Sequence, residues 1–194
     1  MKGRPQSVRR SLNQEFDAHA ALAAILFILT RSARATTIHK ACKLLYFAEK
    51  LHLERYGRQI VGDTYFALQY GPVPSKIYDA IKYADGRGHY LSLDKDLRDA
   101  FKRCIEVRHN YLRARCEPNL DDLSRSDVRC LEQVIADYGN ASFKELTLQS
   151  HDAAYSQTKT NAEIPLEDIV RTLPNSEILL EYLCDPYPDI DDRR

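Results

Sequence analysis

The stretch FALQYGPVPSKIYDAI, residues 66–81, places one glycine and two prolines between an alternating aromatic run and a helix-like segment. In the run DTYFALQY, Thr64, Phe66, Leu68 and Tyr70 fall on one face, and Tyr65, Ala67 and Gln69 on the other. That period of two predicts a strand. RQIVGD ahead of it reads as the partner strand and a tight turn, so a hairpin is expected over residues 58–70. Gly71-Pro72-Val73-Pro74 then reads as a rigid corner that ends pairing, because proline lacks a backbone donor. Ser75 is the expected N-cap of a helix carrying Ile77, Ile81 and Ala84 on one side.

Working outward, the period becomes helical. Upstream, residues 13–30 are rich in alanine and leucine and read as a helix apolar on nearly every side. A second helix starts at a Thr36 or Thr37 cap, runs through Ile38, Ala41, Leu45 and Ala48, and ends at Gly57. Downstream, residues 96–116 admit either a helix through Leu97, Phe101 and Ile105 or two short strands joined at His109-Asn110. We expect a helix to about Arg103 and then a second hairpin. A capping box at Ser124 and Asp127 opens a helix stopped by Gly139, and Ser142 with Glu145 opens another. PLEDIVRTLP, with Pro165 at N1, and SEILLEYL complete the set. The expected class is α+β, mainly α, with one or two hairpins. One domain is expected over residues 13–184, between a flexible basic arm, 1–12, and a flexible acidic tail, 185–194.

Charge and composition narrow the function. Lys plus Arg equals Asp plus Glu at 28 each in 194 residues, so any binding surface is local. The most apolar window, AALAAILFILT from Ala20, is about half the roughly 20 residues a membrane span needs, and a cytoplasmic location is expected. Five scattered cysteines without a C-x-x-C pair read as reduced, mostly buried thiols.

No phosphate loop, dinucleotide fingerprint or nucleophile elbow is present, and no catalytic residue, metal or cofactor is expected. His151-Asp152 is the one pair resembling an oriented base, but neighbours on a helix do not face each other; an N-cap aspartate beside a packed imidazole is the plainer reading. His39 and Lys43, four apart, read as a solvated helical face in preference to an anion grip, and Cys42 lacks an activating neighbour. A winged-helix, nucleic-acid-binding regulator is the alternative that the second helix and hairpin invite. Its electrostatic basis is thin, since Lys40, Lys43, Lys50 and Arg55 alternate with Glu49 and Glu54. Twelve tyrosines and no tryptophan, with Tyr46, Tyr65, Tyr70, Tyr78, Tyr83 and Tyr90 around the second helix and the corner, favour a protein interface.

Residues 43–83 carry K-L-L-Y-F-A, G-R-x-I-x-G-D and G-P-V-P-S in order. L-S-x-S-D with a Tyr-Gly stop, S-F-x-E-L-T and a His-Asp step follow. From about residue 20 to 155 the chain resembles the Panacea, or SocA-like, antitoxin domain. Family members often continue His-Asp with Glu-Pro and an aromatic; this chain has Ala153-Ala154 and Tyr155. The resemblance implies a bacterial or prophage antitoxin that binds and neutralises a co-encoded protein toxin, several family toxins being blockers of translation. Lys43, Tyr46, Tyr70, Gly71, Pro72, Tyr78, His151 and Asp152 are the expected partner-binding residues, with Tyr70 and Tyr78 held by the stiff corner.

Overall fold

A computed structural model describes residues 14–88 and 94–184; the basic arm, the acidic tail and Tyr90 lie outside them. In chain order the elements are α1 (Ala18–Arg31), β1 (Thr36–Thr37), α2 (Ile38–Tyr56), β2 (Tyr65–Leu68), β3 (Gly71–Pro74), α3 (Ser75–Ala84), α4 (Lys95–Cys104), β4 (Ile105–Arg108), β5 (Tyr111–Ala114), α5 (Arg125–Tyr138), α6 (Phe143–Ser150), α7 (Ala153–Gln157), β6 (Glu163–Ile164), α8 (Leu166–Arg171) and α9 (Ser176–Cys184). The strands form two small antiparallel sheets, ordered β1-β5-β4 and β3-β2-β6. The class is α+β, mainly α, as expected.

α2 is the hub. Twelve of its nineteen residues are buried, and they serve two cores. One core packs Ala41, Leu44, Leu45 and Ala48 against α1, α3 and α5. The other packs Tyr46 and Leu53 against Tyr65, Ala67 and the apolar sides of α7, α8 and α9. Thr37 caps the helix start by accepting from Lys40 N, and Gly57 ends it at φ 68°, a left-handed conformation that glycine takes without a Cβ penalty. α1 starts later than expected, at Ala18, because the Asp17 carboxylate accepts from the His19 and Ala20 amides.

The first hairpin is not the expected one. RQIVGD is no strand, because its amides are taken elsewhere: the buried Glu49 carboxylate accepts from Ile60 N at 2.5 Å and Val61 N at 3.1 Å. Burial pushes that carboxyl up to about 7 even so. β2 pairs instead with the corner itself, Leu68 opposite Gly71, Ala67 opposite Pro72, Phe66 opposite Val73 and Tyr65 opposite Pro74. Its other edge is covered by β6, which the sequence pattern did not reveal. Pairing survives two prolines because the ladder alternates. Ser75 N donates to Thr64 O at 2.9 Å, so Val73 and Gly71 share that bonding set while Pro72 and Pro74 turn their donorless nitrogens away from β2.

Three further corrections follow. Ser75 makes no cap bond; the start of α3 is capped from a distance by Asp63, whose carboxylate accepts from Thr64, Lys76 and Ile77 amides at 2.8–3.1 Å. Gly139 ends α5 as expected, but right-handed at φ −60° and not in the left-handed form usual for a glycine stop, and its carbonyl accepts from the buried Lys40 ammonium. Pro165 occupies the N-cap of α8, not N1. The capping boxes Ser124–Asp127 and Ser142–Glu145 are present as expected.

The second hairpin forms where it was favoured, with His109 and Asn110 at φ 48° and 69° in the two-residue turn. It carries a disulfide. Cys104 and Cys116, expected as free thiols, are joined across the hairpin base with their Cα atoms 4.9 Å apart. The ladder brings them together, since Arg115 N donates to Cys104 O at 2.8 Å. Cys42 and Cys130 are free and buried, and Cys184 is exposed.

Removing the remote cap is expected to cost more than removing the adjacent serine. Asp63→Ala should lower stability by about 2–3 kcal/mol in urea denaturation, since it strands buried amides, whereas Ser75→Ala should stay within about 0.5 kcal/mol.

Candidate functional site

His39, Lys43, Tyr46 and Lys50 recur at spacings of four, three and four along α2, which sets them on one side of the helix. That side lies under the β2–β3 turn and beside the junction of α6 and α7, and each side chain has a partner there. The His39 ring packs 4.2 Å from Phe143, and its Nε2 lies 3.3 Å from the Thr147 hydroxyl. Lys43 Nζ donates to Pro72 O at 2.6 Å. Tyr46 OH donates to Asp152 Oδ2 at 2.8 Å, and Lys50 Nζ reaches the same oxygen at 2.6 Å. Asp152 Oδ1 meanwhile accepts from Tyr155 N at 3.1 Å and caps α7.

Gly71 is where this packing is tightest. Its φ is +101°, and a Cβ there would sit 2.7 Å from Ser150 Oγ and 2.8 Å from Lys43 Nζ. A side chain is excluded both by backbone conformation and by space. Pro72 directs its carbonyl away from β2 and onto the ammonium. The glycine-proline corner is thus the lid of a lysine pocket, a role the expected rigid corner did not include.

Electrostatics follow burial. Lys43 is fully buried, and desolvation lowers its pKa to about 8; at pH 7 it keeps its proton. Burial, then the Lys43 charge, lower His39 to about 4. Burial and the same ammonium also lower His151, outweighing Asp152. Two neutral imidazoles therefore flank one buried cation. Burial and then the Asp152 charge push the Tyr46 phenol well up, so it stays a donor. Burial pushes the Cys42 thiol up to about 12, which removes it as a nucleophile.

The eight expected partner residues divide. Lys43, Tyr46, Gly71 and Pro72 are buried and form the support. The reading of His39 and Lys43 as a solvated face is overturned, since the pair is packed beneath the hairpin. His151 and Asp152 are half-buried. The imidazole stacks on Tyr155 at 4.1 Å while the carboxylate faces Tyr46 and Lys50, so the two do not work as an oriented base. Tyr78 lies apart, half-buried on α3 with Lys82 over its ring. Tyr70 alone of the eight is exposed, at 51%. Sequence reasoning missed its neighbour Phe143, 53% exposed and edge-on to Tyr70 at 5.4 Å. It also missed Leu148 on α6, 70% exposed. An aromatic directly after an N-cap serine, at a position where a solvated helix has no need of one, was the available signal. Tyr155 serves as a strut, its hydroxyl donating to Leu68 O at 3.0 Å.

A family model described as "Antitoxin SocA-like, Panacea domain" matches residues 42–155, more than half of the chain. The chain belongs to this family. The Panacea match starts one residue before Lys43 and ends on Tyr155, so it contains the ammonium, its lid and the Asp152 cap, while α1 lies outside it. No curated protein and no solved structure matches the chain significantly. Of the four basic residues on α2 that a winged-helix reading would use, Lys40 and Lys43 are buried. Among the described residues no helix is long and apolar enough to cross a membrane.

Two outcomes test the lysine pocket. Gly71→Ala should lower stability by at least about 2 kcal/mol and lower the melting temperature accordingly. For Lys43, the ammonium is charged in both folded and unfolded chains below pH 8, and its burial then opposes folding. Between about 8 and the ordinary 10.5 the folded protein gives up the proton first, so stability rises with pH. Denaturation curves of wild type and Lys43→Met across pH 7–10.5 should differ by that rise, which the variant lacks.

Proposed function

We propose that this protein is the antitoxin of a bacterial or prophage toxin-antitoxin pair, and that it neutralises a co-encoded protein toxin by direct, stoichiometric binding. Family membership supplies the toxin-antitoxin role. The observation that supports the binding mode is the exposed Tyr70–Phe143 pair, two large rings in a T-shaped contact on a surface braced from below by His39 and the Lys43–Pro72 bond. Exposed rings on a stiff base lose little freedom on docking, and aromatic anchors of this kind dominate interface energetics.

In this reading Tyr70 and Phe143 contact the toxin, Leu148 extends the contact along α6, and His151 lies at its border. Lys43, Tyr46, Gly71, Pro72 and Asp152 act by holding that surface in shape. Tyr78 is given no contact. The complex is expected to bury roughly 1,200–2,000 Å² and to occlude the toxin's active site or hold the toxin inactive. None of the antitoxin's side chains takes part in bond chemistry.

Co-expression with the product of the adjacent open reading frame tests this. Wild type should relieve growth arrest and co-purify with that product. The Tyr70→Ala/Phe143→Ala double variant should bind at least about 100-fold more weakly by calorimetry, with a melting temperature within about 2 °C of wild type. Ile178→Ala, which trims a still more exposed apolar side chain on α9, should change neither. A double variant that still neutralises fully would refute the assignment of this face.

A further inference from the structure

The loop after α1 and the outer face of the β4–β5 hairpin enclose an open groove of about 530 Å³, lined by none of the residues of the Tyr70–Phe143 face. Its volume lies inside the range of about 300–1,000 Å³ usual for ligand sites. Ladder register decides which side chains share that face. Arg108 stands opposite Tyr111, and Glu106 opposite Arg113; residues two apart on one strand point the same way, so Arg115 follows Arg113. Arg34 enters from the loop, with Ser32 and Thr36 beside it.

Four arginines thus meet one carboxylate, and that carboxylate is already engaged, Glu106 being bridged by Arg108 and Arg115. Arg34 and Arg113 have no acidic partner among the described residues, and both are exposed. On a chain of zero formal charge this is a local surplus, and unpaired guanidiniums around a cleft attract a polyanion. Tyr111, 51% exposed, shares the face with Arg108 and Arg113. A flat ring flanked by guanidiniums offers stacking for a base and bidentate bonds for the phosphates on either side of it. Alternating rings and charges match the alternation of base and phosphate along a single strand, which favours nucleic acid over an acidic polypeptide.

We propose that this groove binds single-stranded nucleic acid, with Tyr111 stacking on a base and Arg34 and Arg113 neutralising neighbouring phosphates. The surface is separate from the Tyr70–Phe143 face and uses no residue of α2, so it differs from a winged-helix reading and is independent of toxin binding.

The test is fluorescence anisotropy of a labelled 12-mer oligouridylate titrated with the full chain. Two neutralised phosphates on a single strand predict affinity about 7-fold weaker at 200 mM than at 50 mM salt. Arg34→Glu/Arg113→Glu should abolish binding at 50 mM salt, and Tyr111→Ala should weaken it about tenfold or more. Lys159→Glu, a charge reversal at an exposed lysine elsewhere, should have little effect. Circular dichroism melts establish that each variant is folded; for any that is not, Arg113→Gln replaces it with the same expectation. No binding at 50 mM salt would overturn the proposal. So would full binding by the folded arginine variant, unchanged affinity of Tyr111→Ala, or equal affinity for a polyglutamate peptide of the same charge.

Discussion

A buried ammonium with a single carbonyl partner organises this protein. Lys43 sits in the first half of the most buried helix, and taking its charge out of water is costly unless the charge is hydrogen-bonded. The β2–β3 turn has to fold back over α2 for Pro72 to reach it, and the residue before that proline has to be glycine for the two backbones to approach. Ser150 closes the remaining side, which brings the end of α6 to the same point. Four elements are thereby fixed relative to one another by one group. The consequence shows in the neighbours: two histidines are kept neutral, so no second cation competes for the same small volume.

Around that point the chain uses side chains where a larger sheet protein would use strands. Glu49 holds the amides of Ile60 and Val61, Asp63 caps α3 across a hairpin, Asp152 gathers Tyr46, Lys50 and the start of α7, and Lys40 closes α5. Each places a polar group where burial raises the value of a hydrogen bond and the penalty of losing it. The segments between helices therefore have defined shapes without regular structure, and the exposed rings at the surface rest on a base with little freedom.

Much of this was legible in the sequence, and the misses have physical reasons. Capping boxes and glycine stops depend on residues within one turn, so Gly57, Ser124 and Ser142 were found from local pattern alone, and the cap of α2 was narrowed to Thr36 or Thr37. The His109-Asn110 turn was favoured over a continuous helix, and the structure accounts for it by the left-handed backbone of both residues, which histidine and asparagine tolerate. RQIVGD was misread because alternation describes exposure and not the identity of the partner; a distant glutamate satisfied its amides. GPVP was misread because the rule against proline in sheets concerns ladder positions, and both prolines avoid them. Cys104 and Cys116 fall nearly symmetrically about the hairpin turn, a signal that spacing rules built for metal motifs pass over. At the candidate site the polar stripe of α2 was visible as separate residues, yet only the fold showed that its lysine faces inward.

The way β3 is built also bears on how anything can attach to it. Along its outer margin the positions that would offer amide hydrogens are Pro72 and Pro74, and the carbonyl of Pro72 is already consumed by Lys43. A strand laid alongside would find no donor at either place and one acceptor occupied, so main-chain zippering is closed off there. Any macromolecule that settles beside Tyr70 must be recognised through its side chains, and selectivity between closely related partners then becomes a matter of a few exposed atoms, which can change without disturbing the fold.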